Sequence, residues 1–468
     1  MYRPIAPRVC VPCREPGTVG APDTLWPLTN HDPSLRRTCE YDALDSPQAS
    51  VTPPPSEDAV DADRGKENDA SSPLLFGCCP ITDGWDKSIT SQLSRLVGDV
   101  PQVRDNAVKY FASIHLWYPV LTECSYYESL PGTFVNPRAE YSLLNLSMAL
   151  IVTHLSDPKA TDLYRAAKTS IALTEAADVH SLEVVQARLL VTLFEVGNGL
   201  ENAGYISIAA TARAAACISI NQRGGRNSHD SLLCERVWWG IVLLDRCHAI
   251  GTGKPLITQD LGSPDFLPRD GSIWDKRVLS SSEPLPMSTP KNIRVGPFAR
   301  QAQVSHVVNL LLFHLRNPPL DMEEAEQIVR TLRAFEKLLP EETPQPWPRY
   351  CGALGMCYTA LLTLHKSTPT SPETLQATLQ GIKRIQTVFN SKVSQVDIEG
   401  LSPFAAHSVY LAALENERLF LETGNVDYSI ARNGLLEMLR IFASRWGNAK
   451  NYLAIIGANS PSSTSISP

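Results

Sequence analysis

The sequence predicts an all-α protein, a large multi-helix domain that follows a proline-rich, acidic, disordered linker. Three observations carry this expectation. Apolar residues recur at three- and four-residue steps through most of the chain from about Ile81 to Asn459, the spacing of a helix with one buried face. The prolines Pro318-Pro319, Pro340, Pro369, Pro372 and Pro403 stand between those periodic segments, where a residue that cannot continue a helix belongs. A convincing period-two alternation, the mark of a half-buried strand, is missing from the sequence.

Taken in order, residues 1–42 hold Cys10, Cys13 and Cys39 among prolines and arginines. Residues 43–80 are a linker, with Pro53-Pro54-Pro55 and the acids Glu57, Asp58, Asp61, Asp63, Glu67 and Asp69. Between Ala43 and Ser72 few large apolar side chains exist to offset the entropy of ordering, so that stretch is expected to be disordered. The helical domain is placed at residues 81–459. Ala107, Val108, Phe111, Ile114 and Tyr118 make one apolar face; Leu143, Leu144, Leu146, Met148, Ile151, Val152 and Leu155 read as a more fully buried helix. Further helices are expected near 162–177, 182–199, 204–220 and 232–249. A Pro/Ser/Gly-rich connector runs from Gly251 to about Pro297, and helices resume at 298–316, 321–339, 348–366, 373–392, 403–422 and 427–445. A Ser/Pro tail, 460–468, closes the chain as a disordered end. The helices share no fixed-length repeat, which argues against a regular solenoid.

Composition narrows the function classes. Of 468 residues 43% are hydrophobic, enough for a sizeable core. The longest apolar candidate, Val237 to Ile250, is interrupted by Asp245 and Arg246, short of the about 18 apolar residues of a membrane span. Met1 to Val11 lacks the apolar stretch of a signal peptide. A soluble, intracellular protein without a membrane partner is therefore expected. With 42 basic against 49 acidic residues the net charge is −7, so nucleic acid would have to be met by a local basic patch and not by the overall field. Six of the eleven cysteines, Cys124, Cys217, Cys234, Cys247, Cys351 and Cys357, sit in apolar helical patterns, as small hydrophobes in a reducing compartment do.

Two segments stand out mechanically. In Cys234-Glu235-Arg236-Val237-Trp238-Trp239-Gly240-Ile241-Val242-Leu243-Leu244-Asp245-Arg246, an acid and an arginine share a buried helix with two tryptophans. Such charges are expected to pair, because a lone buried charge is costly. The segment continues through Gly251, Gly253, Lys254 and Pro255 to Asp265-Phe266-Leu267-Pro268. It resembles the signature of the fungal-specific transcription factor regulatory domain, or middle homology region: an Arg-x-Trp-Trp helix ending in Asp-Arg, a Gly-Arg-Pro turn and a later Leu-Pro. Lys254 stands where the family usually has arginine. The second segment, Ala405 to Ala413 with Arg445 and Trp446 downstream, is similar to the family's closing helices. Tyr110 to Pro119 is similar to its opening helix. On this resemblance Arg236, Trp238, Trp239, Asp245, Arg246, Gly253, Pro255, Arg445 and Trp446 are structural signature residues, with no catalytic role.

The resemblance also interprets the N-terminus. Cys10-x2-Cys13-Arg14 looks like the opening of a zinc binuclear cluster, and Arg37-Thr38-Cys39 like its last ligand. In that family six cysteines hold two zinc ions, and the basic stretch between them meets DNA, usually in a dimer. Residues 1–42 supply three cysteines and His31, and five arginines against Glu15, Asp23, Asp32, Glu40 and Asp42. Both flanks fit the module and the middle, Glu15 to Leu35, does not, as a translated intron or a true loss of the cluster would produce. What the resemblance implies is a nuclear regulator of RNA polymerase II transcription: Cys10, Cys13 and Cys39 as zinc ligands, Arg14 on DNA, and the transcription machinery or other regulators as partners. A homodimer is possible, though the linker shows no sustained heptads. The alternative is a relative that has lost DNA binding and acts through proteins alone.

An all-helical, magnesium-dependent terpene-synthase-like enzyme is the remaining alternative. Glu57-Asp58-x2-Asp61 and Asn227-x3-Ser231-x3-Glu235 imitate its two metal motifs. Metal ligation needs both on helices facing one pocket, whereas the first lies in the linker and Asn227 follows Gly224-Gly225. No G-x-S-x-G, H-E-x-x-H or phosphate loop is present, so a non-enzyme is expected. His115, His248 and His407 have no partner at metal spacing and read as core or surface histidines.

Overall fold

A computed structural model of the chain describes residues 82–220, 229–261, 264–269, 284–317, 321–342, 348–367, 371–392, 394 and 397–459. Cys10, Cys13, Arg14, Cys39, the linker at 43–80, Asn227 and the 460–468 tail lie outside the described residues.

The described residues are helical, and their one β feature is the isolated bridge between Phe266 and Pro286. The helices are α1 (Thr82–Leu96), α2 (Val100–Ala112), α3 (Glu123–Ser129), α4 (Gly132–Val135), α5 (Ala139–Val152), α6 (Pro158–Ala176), α7 (Leu182–Gly197), α8 (Glu201–Cys217) and α9 (His229–Thr252). Beyond the connector follow α10 (Pro297–Arg316), α11 (Met322–Glu341), α12 (Pro348–Ser367), α13 (Pro372–Ser391), α14 (Ala406–Thr423), α15 (Val426–Arg445) and α16 (Gly447–Asn459). Short 3-10 turns sit at Ile114–Leu116, Gln259–Leu261, Ile398–Gly400 and Pro403–Ala405.

Local chemistry explains many of the starts. Asp157 caps α6 by accepting from the Lys159 N–H, with Pro158 in the first helical position. Ser181 caps α7, Asp321 caps α11, Ser371 caps α13 ahead of Pro372, and Asn425 caps α15. Each offers a side-chain oxygen to an otherwise orphaned first-turn N–H. Gly424, at φ +67°, ends α14 in the left-handed conformation that glycine adopts without strain.

Packing order follows burial. Almost all of α5 and α7 is buried, so both are central: α5 lies against α1, α2, α6 and α7, and α7 against α8 and α9. Helix α9 then leads to α10, α10 and α11 pack on α12, and α12 on α14. Helices α13 to α16 form the far side, and α16 returns to touch the central α7.

Several expectations need correction. Val108 is 52% exposed, and the helix it rides ends at Ala112, before Tyr118; the chain turns at Ile114–Leu116, so the register of the apolar face is lost. Leu155 lies past the end of α5 and is half-exposed. Pro340 falls inside α11, one residue from its end, where a proline removes a single hydrogen bond from a turn that is already closing. Pro372 and Pro403 open elements instead of separating them. Cys217 is exposed while Cys351 and Cys357 are buried. Helices α1, α3, α4 and α16 had no counterpart in the periodicity.

Candidate functional site

The signature residues of α9 form one buried set of contacts. Trp239 has no solvent exposure, and its Nε1 donates to the Phe266 carbonyl at 3.0 Å. Phe266 is held in turn, since Leu267 N donates to Leu285 O at 2.7 Å and Met287 N to Asp265 O at 3.2 Å. The tryptophan thus fastens the connector onto the helix. The next residue, Gly240, gives its carbonyl to the Tyr118 hydroxyl at 2.7 Å. A Cβ there would come within 2.8 Å of Val120 Cγ1 and 2.9 Å of Leu189 Cδ2, so the close approach requires glycine.

Asp245, 1% exposed, closes the helix end. Its carboxylate accepts from Ile257 N at 3.1 and 3.0 Å, Thr258 N at 2.8 Å and Thr258 Oγ1 at 2.8 Å. Burial raises the Asp245 carboxyl above its ordinary pKa, and the Thr258 and Ile257 donors and the Arg246 charge oppose that rise. The chain can return to Asp245 because Gly253, at φ +72°, takes the left-handed conformation, with its N–H on Ala249 O at 2.8 Å. Pro255 sits exposed on the outside of the loop so formed. Lys254 reaches Asn202 Oδ1 at 2.7 Å and lies 5.1 Å from the Tyr205 ring centre. The ammonium also donates to the Glu201 carbonyl at 3.5 Å, so Lys254 binds by point-charge hydrogen bonds and a ring contact.

Arg246 turns the other way. Its Nη1 donates to Ser305 Oγ of α10 at 3.2 Å, and its guanidinium lies 5.9 Å from the Trp239 ring centre. Burial lowers its pKa to about 10, against the pull of Asp245. The two charges favour each other, and since adjacent residues diverge by about 100° around a helix, the acid also holds the turn and the arginine also reaches α10. Arg236 and Trp238 are 2% and 4% exposed, and the Arg236 charge opposes the burial-driven rise of the Tyr110 phenol.

Arg445 and Trp446 form a second buried set. Arg445 pairs with Glu399 Oε2 at 3.0 Å and donates from Nη2 to the Ile151 carbonyl at the end of α5. His154 contacts the other Glu399 oxygen at 2.6 Å and the Ser444 carbonyl at 3.1 Å. The guanidinium lies 4.2 Å from the Trp446 ring centre, and Trp446 Nε1 donates to Leu401 O at 2.7 Å. The indole rests on Gly197 of α7, where a Cβ would stand 2.5 Å from Trp446 Cε3. Asn198 Oδ1 accepts from Gly447 N at 3.0 Å. The pair therefore ties α15 and α16 to α5 and α7. Glu399, His154, Gly197 and Thr258 carried no signal in the sequence, since each works through a partner remote in the chain.

These contacts hold elements together and present no nucleophile with a base. Among the described residues no group of three or more His, Cys, Asp or Glu side chains could hold a metal ion. Nor is any described helix long and apolar enough to cross a membrane. His115 is a core residue, edge-on to Phe111 and Tyr110. Of the aspartate-rich imitation, Glu57, Asp58, Asp61 and Asn227 lie outside the described residues.

Comparison with known proteins agrees with the signature. Residues 109–328 match the family described as fungal specific transcription factor domain. The match contains α9 and its turn and ends within α11, before Arg445-Trp446. The chain is 26% identical over 117 residues to Transcription factor BOA15 of Botryotinia fuckeliana, 25% of this chain and 65% of that protein. It is 21% identical over 286 residues to an uncharacterized transcriptional regulatory protein of Schizosaccharomyces pombe, 55% of this chain and 37% of that one. The chain thus spans less than two thirds of the curated relatives it matches. Over residues 109–328 it is therefore similar to the fungal specific transcription factor domain.

Proposed function

We propose that the protein is a fungal regulator of RNA polymerase II transcription that works in the nucleus, with the helical domain relaying a signal between partner proteins and promoter-bound assemblies. The observation that supports this most directly is the family match over α9 and its turn, whose residues serve packing rather than catalysis. Residues 1–42 would supply the DNA contact, with Arg14 on the phosphate backbone and Cys10, Cys13 and Cys39 on zinc. With His31 these make four donors, enough for one tetrahedral ion where the family module holds two.

The deficit in that donor set favours a second reading, in which the chain reaches promoters through other regulators. Chromatin immunoprecipitation of the tagged full chain, beside a Cys10→Ser/Cys13→Ser variant, decides between them. Discrete promoter enrichment that the double substitution abolishes supports direct DNA contact. Enrichment that survives it supports recruitment by partners. Absence of enrichment in both would overturn the regulatory assignment. Sequencing the transcript across the codons for Arg14 to Arg37 shows whether the mature message encodes a fuller cysteine set.

A further inference from the structure

Helices α13, α14 and α15 enclose a groove that belongs to neither signature set. It holds about 180 Å³, opens to solvent, and is lined by Lys383 from α13, Asn416 from α14 and Asp427 from α15. An apolar pocket of about 150 Å³ takes up a six-carbon ring, so a molecule of about eight heavy atoms fits with its ends in the opening. Asn416 is 4% exposed, and its Nδ2 donates to Ala412 O at 2.8 Å, which leaves Oδ1 as its free end. That oxygen has no hydrogen-bond partner among the described residues and is not shut off from solvent, so the groove is where it meets water. A nearly buried acceptor left unmet is costly, and here a donor from outside can reach it.

The charges on the walls restrict what fits. Among the described residues that line the groove, Lys383 is the one cation and Asp427 the one anion. Both are exposed, and among the described residues neither the ammonium nor the carboxylate makes an ion pair or a hydrogen bond. Asn425 caps α15 by accepting from the Asp427 N–H at 2.9 Å, so the Asp427 carboxylate is left over from the cap. A lone anion would be repelled by Asp427 and a lone cation by Lys383, whereas a molecule carrying both charges answers both walls. The acceptor at Asn416 requires an N–H or O–H on that molecule, which an ammonium supplies. The rest of the lining includes an apolar floor, since Leu379, Ala431 and Leu435 are 8%, 8% and 2% exposed.

We propose that this groove binds a free α-amino acid with a small apolar side chain. Its carboxylate meets Lys383, its ammonium is shared by Asp427 and Asn416 Oδ1, and its side chain rests on Leu379, Ala431 and Leu435. The site stands on its own geometry and does not depend on the chain reaching DNA.

L-Valine is the probe, with isovalerate lacking its ammonium and isobutylamine lacking its carboxylate. The full chain is labelled at the leucine 13C methyls, with Leu379 and Leu435 assigned by single substitution, and titrated to about 10 mM, which nearly saturates a millimolar site. Valine should shift the methyl resonances of both leucines saturably, and each analogue should bind at least about threefold more weakly, a factor within reach of an exposed charge pair. Lys383→Gln should weaken valine about threefold without weakening isobutylamine, and Asp427→Asn should weaken valine about as much without weakening isovalerate. Both positions are exposed, so neither substitution should change the melting temperature much. Absence of a saturable shift means that the groove holds only water and the two charges are solvated separately, and the proposal fails. It fails equally if either analogue binds as well as valine, or if the two substitutions leave the affinity for valine unchanged.

Discussion

Replacing Asp245 by alanine should release the turn that follows the signature helix. The carboxylate is the acceptor for two backbone N–H groups and one hydroxyl, from Ile257 and Thr258. Thr258 is 5% exposed, so in the alanine variant its donors lose their acceptor in a place water reaches poorly. A buried donor left unsatisfied costs about 1–3 kcal/mol. Removing the carboxylate also relieves the burial penalty that raises its pKa, which offsets part of that sum. We expect a net loss of about 3 kcal/mol for Asp245→Ala, and about half of it for Asp245→Asn, which keeps one acceptor oxygen without the charge. The loss should be local first, because the segment from Gly253 to Thr258 then has little to hold it. Thermolysin digestion of the native protein reads this directly, by cleavage before Leu256 or Ile257; trypsin is a poor probe because Pro255 follows Lys254. Urea unfolding followed by tryptophan emission gives the global cost. Equal stability and equal protease resistance in Asp245→Ala would show that the turn is held by something other than this carboxylate. A worse outcome for asparagine than for alanine would refute the acceptor argument.

Three further predictions follow from named contacts. Gly197→Ala places a methyl 2.5 Å from Trp446 Cε3; this overpacking should cost about 1–3 kcal/mol and red-shift tryptophan emission as the indole is displaced. His248, His306 and His407 are held near 4, below the 6.5 of an exposed histidine. The unfolded chain therefore binds more protons between those values, and their stabilising contribution, complete above pH 6.5, should be lost as pH falls toward 4; melting temperatures across that window test it, and a flat profile contradicts it. Glu235 runs oppositely. Burial raises it to about 7 against the Arg269 charge, so its contribution is complete below about 4.5 and lost as pH rises to 7. Glu235→Gln should raise the melting temperature at pH 8 and leave it little changed at pH 4.5.

How far each feature was legible depends on the range of the interaction that makes it. Helices α6 to α9 and α10 to α15 were readable because their signals are local: an apolar period, a cap such as Asp157 or Ser371, a proline at the first position. Helix α2 was over-extended because Ile114 and Tyr118 keep a helical spacing from Phe111 while the backbone turns there to carry the Tyr118 hydroxyl onto Gly240. The signature residues could be named from their order in the chain; Trp238, Trp239 and Trp446 are buried as their type suggests, whereas Gly253 and Pro255 are exposed.

The sequence by itself settled that the chain is helical, where most helices run, and which segments resemble a fungal-specific transcription factor domain. Periodicity, capping and motif order need only neighbours within a few residues. Only the tertiary structure decided that Asp245 holds Thr258 while Arg246 holds Ser305, that Trp446 needs a glycine at 197, and that Lys383, Asn416 and Asp427 border one groove. The reason is physical: which partner satisfies a buried group depends on what packing carries within reach, and residues 100 or more apart in the chain, as Gly197 and Trp446 are, leave no local trace of meeting.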